Sequence, residues 1–414
     1  QARLAAALGA GDDVAGAARA RSSAAVLFSR VPGAPAAQRR EALLWFGVVD
    51  WSVLGDVRAA RDSLARAAVL ARDDERPQIV LATLVSRVLA SAVAGDLTGA
   101  AATAREAVEL ARASGEPALL AVALAAQSTQ RTIQADRVGA GKAAEELLSL
   151  RPPAADADAD GDGDPDAFDA LVATAVAPVL LAARELERCA ALLLPASTPE
   201  RLELLLPHAR ATLLHLRARL AVARGDIDDA RHQLAAVEAL GFARTPVGGA
   251  IAGSTAAVVA LADDRPLNAE VRATAAAEAA RRAPSRVLEL HALQLAGEAQ
   301  AALGAPEAAA ERFAEAEQVA REIGAHARAE VAAQHRRTLG GDGAEAPSAE
   351  EYGLTPRQLE IAQLVAAGRT NREVAATLGI SEHTVNTHLR VAFARLGVTR
   401  RTALATALQQ RASA

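Results

Sequence analysis

Near the C-terminus His383, Asn386, Thr387, Arg390 and Ala394 recur at one-, three- and four-residue spacing. On a helix turning about 100° per residue they share one arc. That arc is polar and free of carboxylates, as a surface meeting base-pair edges in a major groove must be. Asn bridges the N6 and N7 of adenine, Arg bridges the O6 and N7 of guanine, and the Thr methyl touches thymine. Val385, Leu389, Ala392 and Leu396 fall on a second arc, with Phe393 at its margin, and this one is apolar. A helix over 382–396 with one face for a core and one for a ligand is the prediction. Each polar residue also has a bland reading: Thr384 satisfying the helix start, His388 on neither arc and structural, the flanking arginines solvated.

Other constellations carry less. Asp156, Asp158, Asp160 and Gly161 imitate the opening of a calcium loop, but Ala167 stands where a bidentate Glu is required. Gly139-Ala-Gly-Lys142 resembles the end of a phosphate-binding loop, yet Asp136 takes the place of its first Gly and Ala143 that of its Ser/Thr. His208 and His215 lie seven apart, on one face of a continuous helix, with no carboxylate or cysteine at metal-ligand spacing. No nucleophile elbow or His-Glu-x-x-His helix occurs. The chain reads as a non-enzyme with no metal and no cofactor of its own.

The elements that must position the polar arc begin at Leu354. Thr355 is an N-cap, Pro356 sits at the first helical position, and Gly368 ends the helix. A short helix over about 371–378 ends at Gly379, and Ser381 caps the one that follows. Helix, tight turn and capped helix make a helix-turn-helix.

The residues Leu354-Thr355-Pro356-Arg357, Glu360, Gly368, Asn371-Arg372-Glu373-Val374-Ala375, Leu378, Ile380-Ser381, Thr384-Val385, His388 and Arg395-Leu396-Gly397-Val398 closely resemble the LuxR/FixJ-type (GerE-like) helix-turn-helix family over about 354–405. The resemblance implies a four-helix domain whose third helix reads the major groove through Asn386, Thr387 and Arg390. It also implies phosphate contacts from Thr384 and nearby arginines, among them Arg372, Arg395, Arg400 and Arg401. A fourth helix, about Arg401 to Gln410, is the usual dimer contact. Asn386 stands where the family is often basic and Gln358 where it is often acidic; the first puts the base preference in doubt, not the fold.

Charge follows the same division. From Tyr352 to Ala414 eight Arg face three Glu, whereas the remaining 351 residues carry 37 basic and 47 acidic side chains. A basic tail on an acidic body suits a tail that meets a polyanion. Upstream, apolar residues at 51% with aromatics at 2% favour stacked helices, so the chain reads as all-α. One pattern recurs there: Gly, usually followed by Asp, then small or apolar residues five, nine, twelve and fifteen after the Gly. The copies start at Gly55 (Ala60, Leu64, Ala67, Leu70), Gly95 (Ala100, Ala104, Ala107, Leu110), Gly225 (Ala230, Leu234, Val237, Leu240) and Gly304 (Ala309, Phe313, Ala316, Val319). Gly closes one helix, Asp caps the next, and small residues let neighbours pack closely. This resembles the tetratricopeptide repeat, with degenerate, unevenly spaced copies and little of its first-helix aromatic signature.

The expected domains are a tetratricopeptide-like helical solenoid over 1–340, broken by an acidic, Pro/Gly-rich loop at 152–166; a linker at 341–351; and the helix-turn-helix domain at 352–414. The lone Cys189 is what a reducing cytoplasm permits. The apolar stretch Ala170 to Ala183 is too short for a bilayer and contains Pro178, so a soluble, cytoplasmic, membrane-independent protein is expected. The sequence starts at Gln1 and has no Met. Together with the layout, this resembles the back half of the large ATP-binding LuxR-type regulators, in which ATP would enter only through a domain upstream. The expected partners are double-stranded DNA, a second copy of the chain on DNA, and a small-molecule or protein inducer at the repeats. Two other readings stand: a shorter regulator with no ATPase, and an adaptor whose helix-turn-helix serves protein contacts.

Overall fold

The computed structural model describes residues 2–31, 33–71, 76–150, 165–339, 354–366, 370–371, 374–375, 382–396, 398 and 404. The chain divides into two compact units, Gln1–Leu339 and Gly340–Ala414. Every regular element among the described residues is helical.

The first unit is a long array in which each helix packs chiefly on the next, as in the run Pro246–Ala262, Pro266–Arg282, Arg286–Ala302, Pro306–Glu322 and His326–Leu339. One turn joins many of the pairs. After Pro77–Ala94, Gly95 takes φ +100°, its N–H bonds Ser91 O and Ala92 O, and Asp96 N returns to Ser91 O at 2.9 Å. Asp96 then accepts from Gly99 N at 3.0 Å and caps Leu97–Ser114. Left-handed closure satisfies carbonyls that a helix end would leave bare, and the Asp cap does the same for amides. Asp56, Asp136 and Asp226 repeat the cap.

All four glycines of the sequence pattern have positive φ. Ala60, Leu64, Ala67, Ala100, Ala104, Ala107, Ala230, Val237, Ala309, Phe313, Ala316 and Val319 are buried; Leu70, Leu110, Leu234 and Leu240 are partly so. The uneven spacing has a physical cause. The same turn is made without glycine at Ala135, Arg184 and Asp264, each at positive φ, with return bonds Asp136 N to Arg131 O, Glu185 N to Leu180 O and Arg265 N to Ala260 O. With these included, one set of turns, at 55, 95, 135, 184, 225, 264 and 304, falls about forty residues apart, the one long interval containing the acidic 152–166 stretch, and Pro284 and Gly324 make the same turn between successive pairs. A forty-residue period exceeds the 34 of a tetratricopeptide repeat because many of the paired helices run to 17 or 18 residues.

The array also closes on itself, unlike a solenoid whose repeats touch only neighbours. Pro77–Ala94 meets Arg286–Ala302, and Pro117–Gln134 meets His326–Leu339. One core cluster joins Ala92, Leu97 and Ala100 to Leu290, Leu293 and Ile323; another joins Val57 and Ala211 to Phe242, Val247, Ile251 and Ala283. Polar bonds cross the same seam, from Ser285 Oγ to Val93 O at 3.1 Å and from Gly241 N to Asp12 Oδ2 at 2.7 Å.

Gly139 and Lys142 lie inside the helix Arg137–Ser149, with the Gly139 amide bonded to the Asp136 carboxylate, so the segment is a capped helix start with no phosphate cradle. The calcium-like stretch lies almost wholly outside the described residues, which reach back only to Pro165. Pro77–Ala94, eighteen residues of mean hydropathy 1.6, is long and apolar enough to cross a membrane; here it contributes Leu81, Leu84 and Val88 to the core. The shorter apolar stretch 170–183 lies mostly in the helix Pro165–Ala182.

Candidate nucleic-acid interface

In the second unit the helix Pro356–Ala366 starts as its residue types dictate. Gln358 N donates to Thr355 Oγ1 at 3.3 Å, and Thr355 N donates to Gln358 Oε1 at 3.0 Å, a reciprocal capping box. Gln358 thereby performs at that position what an acidic residue would. Thr355→Ala is expected to cost about 1 kcal/mol. Amide hydrogen exchange across 356–366 would accelerate by roughly five-fold, and Thr355→Ser would restore the slow rate.

The helix Glu382–Leu396 has the bounds its sequence predicts. Val385, Leu389, Ala392 and Leu396 are buried in a core with Leu354, Ile361, Ala362, Val365, Val374, Ala375 and Leu404, and Phe393 is half-buried against it. With this face committed to the core, Asn386, Thr387, Arg390 and Ala394 are exposed on the other, while Thr384 and His388 are half-buried. Arg395 is exposed. His383 lies in the helix, but its side chain is outside the described set, as are Arg372, Arg400 and Arg401. Of the short second helix, Asn371, Val374 and Ala375 are described and helical; of the predicted fourth, only Leu404 is described, helical and fully buried.

One contact was not foreseen. Asn371 Nδ2 donates to Asn386 Oδ1 at 2.7 Å, tying the polar face to the preceding helix. The amide of Asn386 is thereby oriented with its oxygen engaged and its two N–H donors turned to other acceptors. A fifteen-residue separation gives sequence periodicity nothing to register. Among the described residues, no group of three or more His, Cys, Asp or Glu is placed to hold a metal ion.

Residues 353–408 match the family of bacterial regulatory proteins, luxR family. The C-terminal unit carries a LuxR-type helix-turn-helix domain. Over 46 residues the chain is 48% identical to Transcriptional regulatory protein MctR of Rhizobium johnstonii (strain DSM 114642 / LMG 32736 / 3841). The matched segment covers 11% of this chain and 22% of MctR. The chain thus shares with MctR a segment about the length of one small domain, less than a quarter of MctR's own length.

Proposed function

We propose that the chain is a sequence-specific DNA-binding transcription regulator that reads the major groove with the helix Glu382–Leu396. The observation that carries this is the exposed, carboxylate-free ridge of Asn386, Thr387 and Arg390 on a helix whose opposite face is the domain's core. The family match over 353–408 and the regulatory name of MctR support it. Arg390 addresses the O6 and N7 of guanine, and the Thr387 methyl meets thymine. Asn386, its oxygen already bonded to Asn371, offers N–H donors to a purine N7 or O6, a departure from bidentate adenine recognition. Thr384 and Arg395 contact phosphate, joined by Arg372, Arg400 and Arg401 and by His383 at the helix start. Two chains pair on DNA, since one small domain grips a single half-site.

The helical array senses an inducer. Its finer kinship to tetratricopeptide repeats, and its attachment to an ATP-binding domain upstream, belong to this proposal and rest on the resemblance of the layout to the large LuxR-type regulators.

The test is binding-site selection with the full chain, followed by salt titration on the selected duplex. Log K should fall by about 0.9 per phosphate neutralised for each unit of log salt. Arg390→Ala should lose about 1–3 kcal/mol on the selected site, little on random duplex, and relax one base position. A flat salt response would leave the adaptor reading in its place, whereas equal losses on both duplexes would move Arg390 from base to phosphate contact and remove it from the sequence readout.

A further inference from the structure

In the LuxR-type domain, the amide on the exposed ridge of Glu382–Leu396 does not orient itself. Asn386 is exposed, and Asn371, half-buried on the preceding helix, donates from Nδ2 to its Oδ1 at 2.7 Å. The N–H groups of Asn386 bond no described residue. The acceptor end of the amide is thus held by the neighbouring helix, and the donor end is left for a ligand.

Which end is available decides which purine the side chain reads. Adenine shows an acceptor, N7, beside a donor, the N6 amino group; guanine shows two acceptors, N7 and O6. An unrestrained asparagine answers adenine with both ends of its amide at once, whereas its donors alone answer guanine. Bidentate pairing with adenine needs Oδ1 and Nδ2 side by side along one base edge. In Asn386 the oxygen is drawn to Asn371, so its remaining lone pair is aimed by that bond and not by the base. The ridge therefore offers a donor-only group at this point. A donor set against the N6 amino group would leave both unpaired, which costs about as much as a lost hydrogen bond. Arg390, exposed and likewise donor-only, stands one helical turn on, about 6 Å along the axis and within two base-pair steps. Holding the amide before DNA arrives also removes part of the ordering that binding would otherwise require.

We propose that Asn371 is a positioning residue that makes Asn386 select guanine over adenine, so that a half-site presents guanine to Asn386 as well as to Arg390. This rests on the major-groove reading given above, and adds to it the base chosen and the residue that sets the choice. Asn371 does this without touching the base.

The experiment sets two duplexes in competition for the full chain. The probes are the site enriched from random duplex and its copy carrying adenine at the one guanine that Asn386→Ala ceases to distinguish. The parent should prefer guanine about ten-fold. Asn371→Ala should lower that ratio at least five-fold, because the released oxygen then accepts from the adenine amino group. Asn371→Asp, whose carboxylate only accepts, should turn the Asn386 amide over and carry the preference to adenine. Its added negative charge weakens both duplexes alike and cancels in the ratio, as would the loss of a merely structural bond. In an Asn371→Ala background, Asn386→Lys should recover the guanine preference, since an ammonium has no acceptor end to restrain. Adenine at the enriched position, a ratio within five-fold of the parent's in either Asn371 variant, or no position relaxed by Asn386→Ala would each overturn the role of Asn371. All three outcomes leave the regulator reading standing, whereas a chain that enriches no duplex removes both.

Discussion

Lowering the pH from 7 to 4.5 is expected to strip the helical array of much of its stability. His208 is held to about 4 and His291 to about 3, and His215 is also well below the ordinary imidazole value, in each case chiefly because burial penalises the charged ring. His208 lies against Trp51, centroids 4.0 Å apart, and near Phe242, in surroundings that offer a proton no compensation. Arg219 and Arg328 add repulsion at His291. Because the folded pKa values are depressed, the unfolded chain binds more protons once pH drops below about 6.5. Stability is whole above that pH and is lost as pH falls toward the folded values. His208 and His291 each cost about 2–3 kcal/mol by pH 4.5, a sum comparable with the low end of the 5–15 kcal/mol of a typical fold, and His215 adds to the loss in the same direction. Asp50 and Glu298 act in the opposite sense, their carboxyls being raised, and return part of the loss at the acid end of the range. Guanidinium unfolding followed through Trp45 and Trp51 at pH 7, 6 and 5 measures the slope. His208→Gln should flatten it by about one proton's worth; an unchanged slope would place the acid sensitivity elsewhere.

These histidines show where sequence reading stops. That His208 and His215 share a helix face was legible from their spacing, but their significance depends on His291, which the array brings beside His215 from seventy-six residues away. The C-terminal domain was the more legible part because its logic is local. Thr355 and Gln358 cap a helix three residues apart, and the arc of Val385, Leu389, Ala392 and Leu396 returns as a buried face. In the array, glycine turns announced themselves, whereas Ala135, Arg184 and Asp264 make the same left-handed closure with residues that carry no such signal. Their omission hid the forty-residue period. The closing of the array was illegible for a related reason: alanine faces such as those of Ala92 and Ala100 read as ordinary neighbour packing, and only the fold places Leu290 and Ile323 against them.

Gly248→Ala is expected to destabilise the array by about 3 kcal/mol, near the top of the range for overpacking. A Cβ at that position would lie 1.8 Å from Phe242 O and 2.5 Å from Phe242 C, and backbone atoms cannot swing aside as a side-chain tip can. Phe242 is held there tightly. Its carbonyl accepts from Thr245 N at 2.9 Å and Thr245 Oγ1 at 2.8 Å, its ring is fully buried, and Gly241 beside it is bonded to Asp12. Thr245 Oγ1 also caps the helix Pro246–Ala262 by accepting from Gly248 N, so moving the turn breaks the cap as well. Displacing Phe242 opens its cluster with Val57, Ala211, Val247, Ile251 and Ala283, which is one of the seams joining the early part of the array to the late part. Gly141→Ala provides the contrast. Gly141 lies within the helix Arg137–Ser149, and its Cβ would meet nothing within 4 Å. With space available, alanine's helix preference should raise stability by roughly 0.5–1 kcal/mol. The same substitution thus acts with opposite sign at two helical glycines, and the denaturation midpoints of both variants read the difference. Equal midpoints would mean that the turn at Phe242 yields, and that the seam it supports contributes little to holding the array closed.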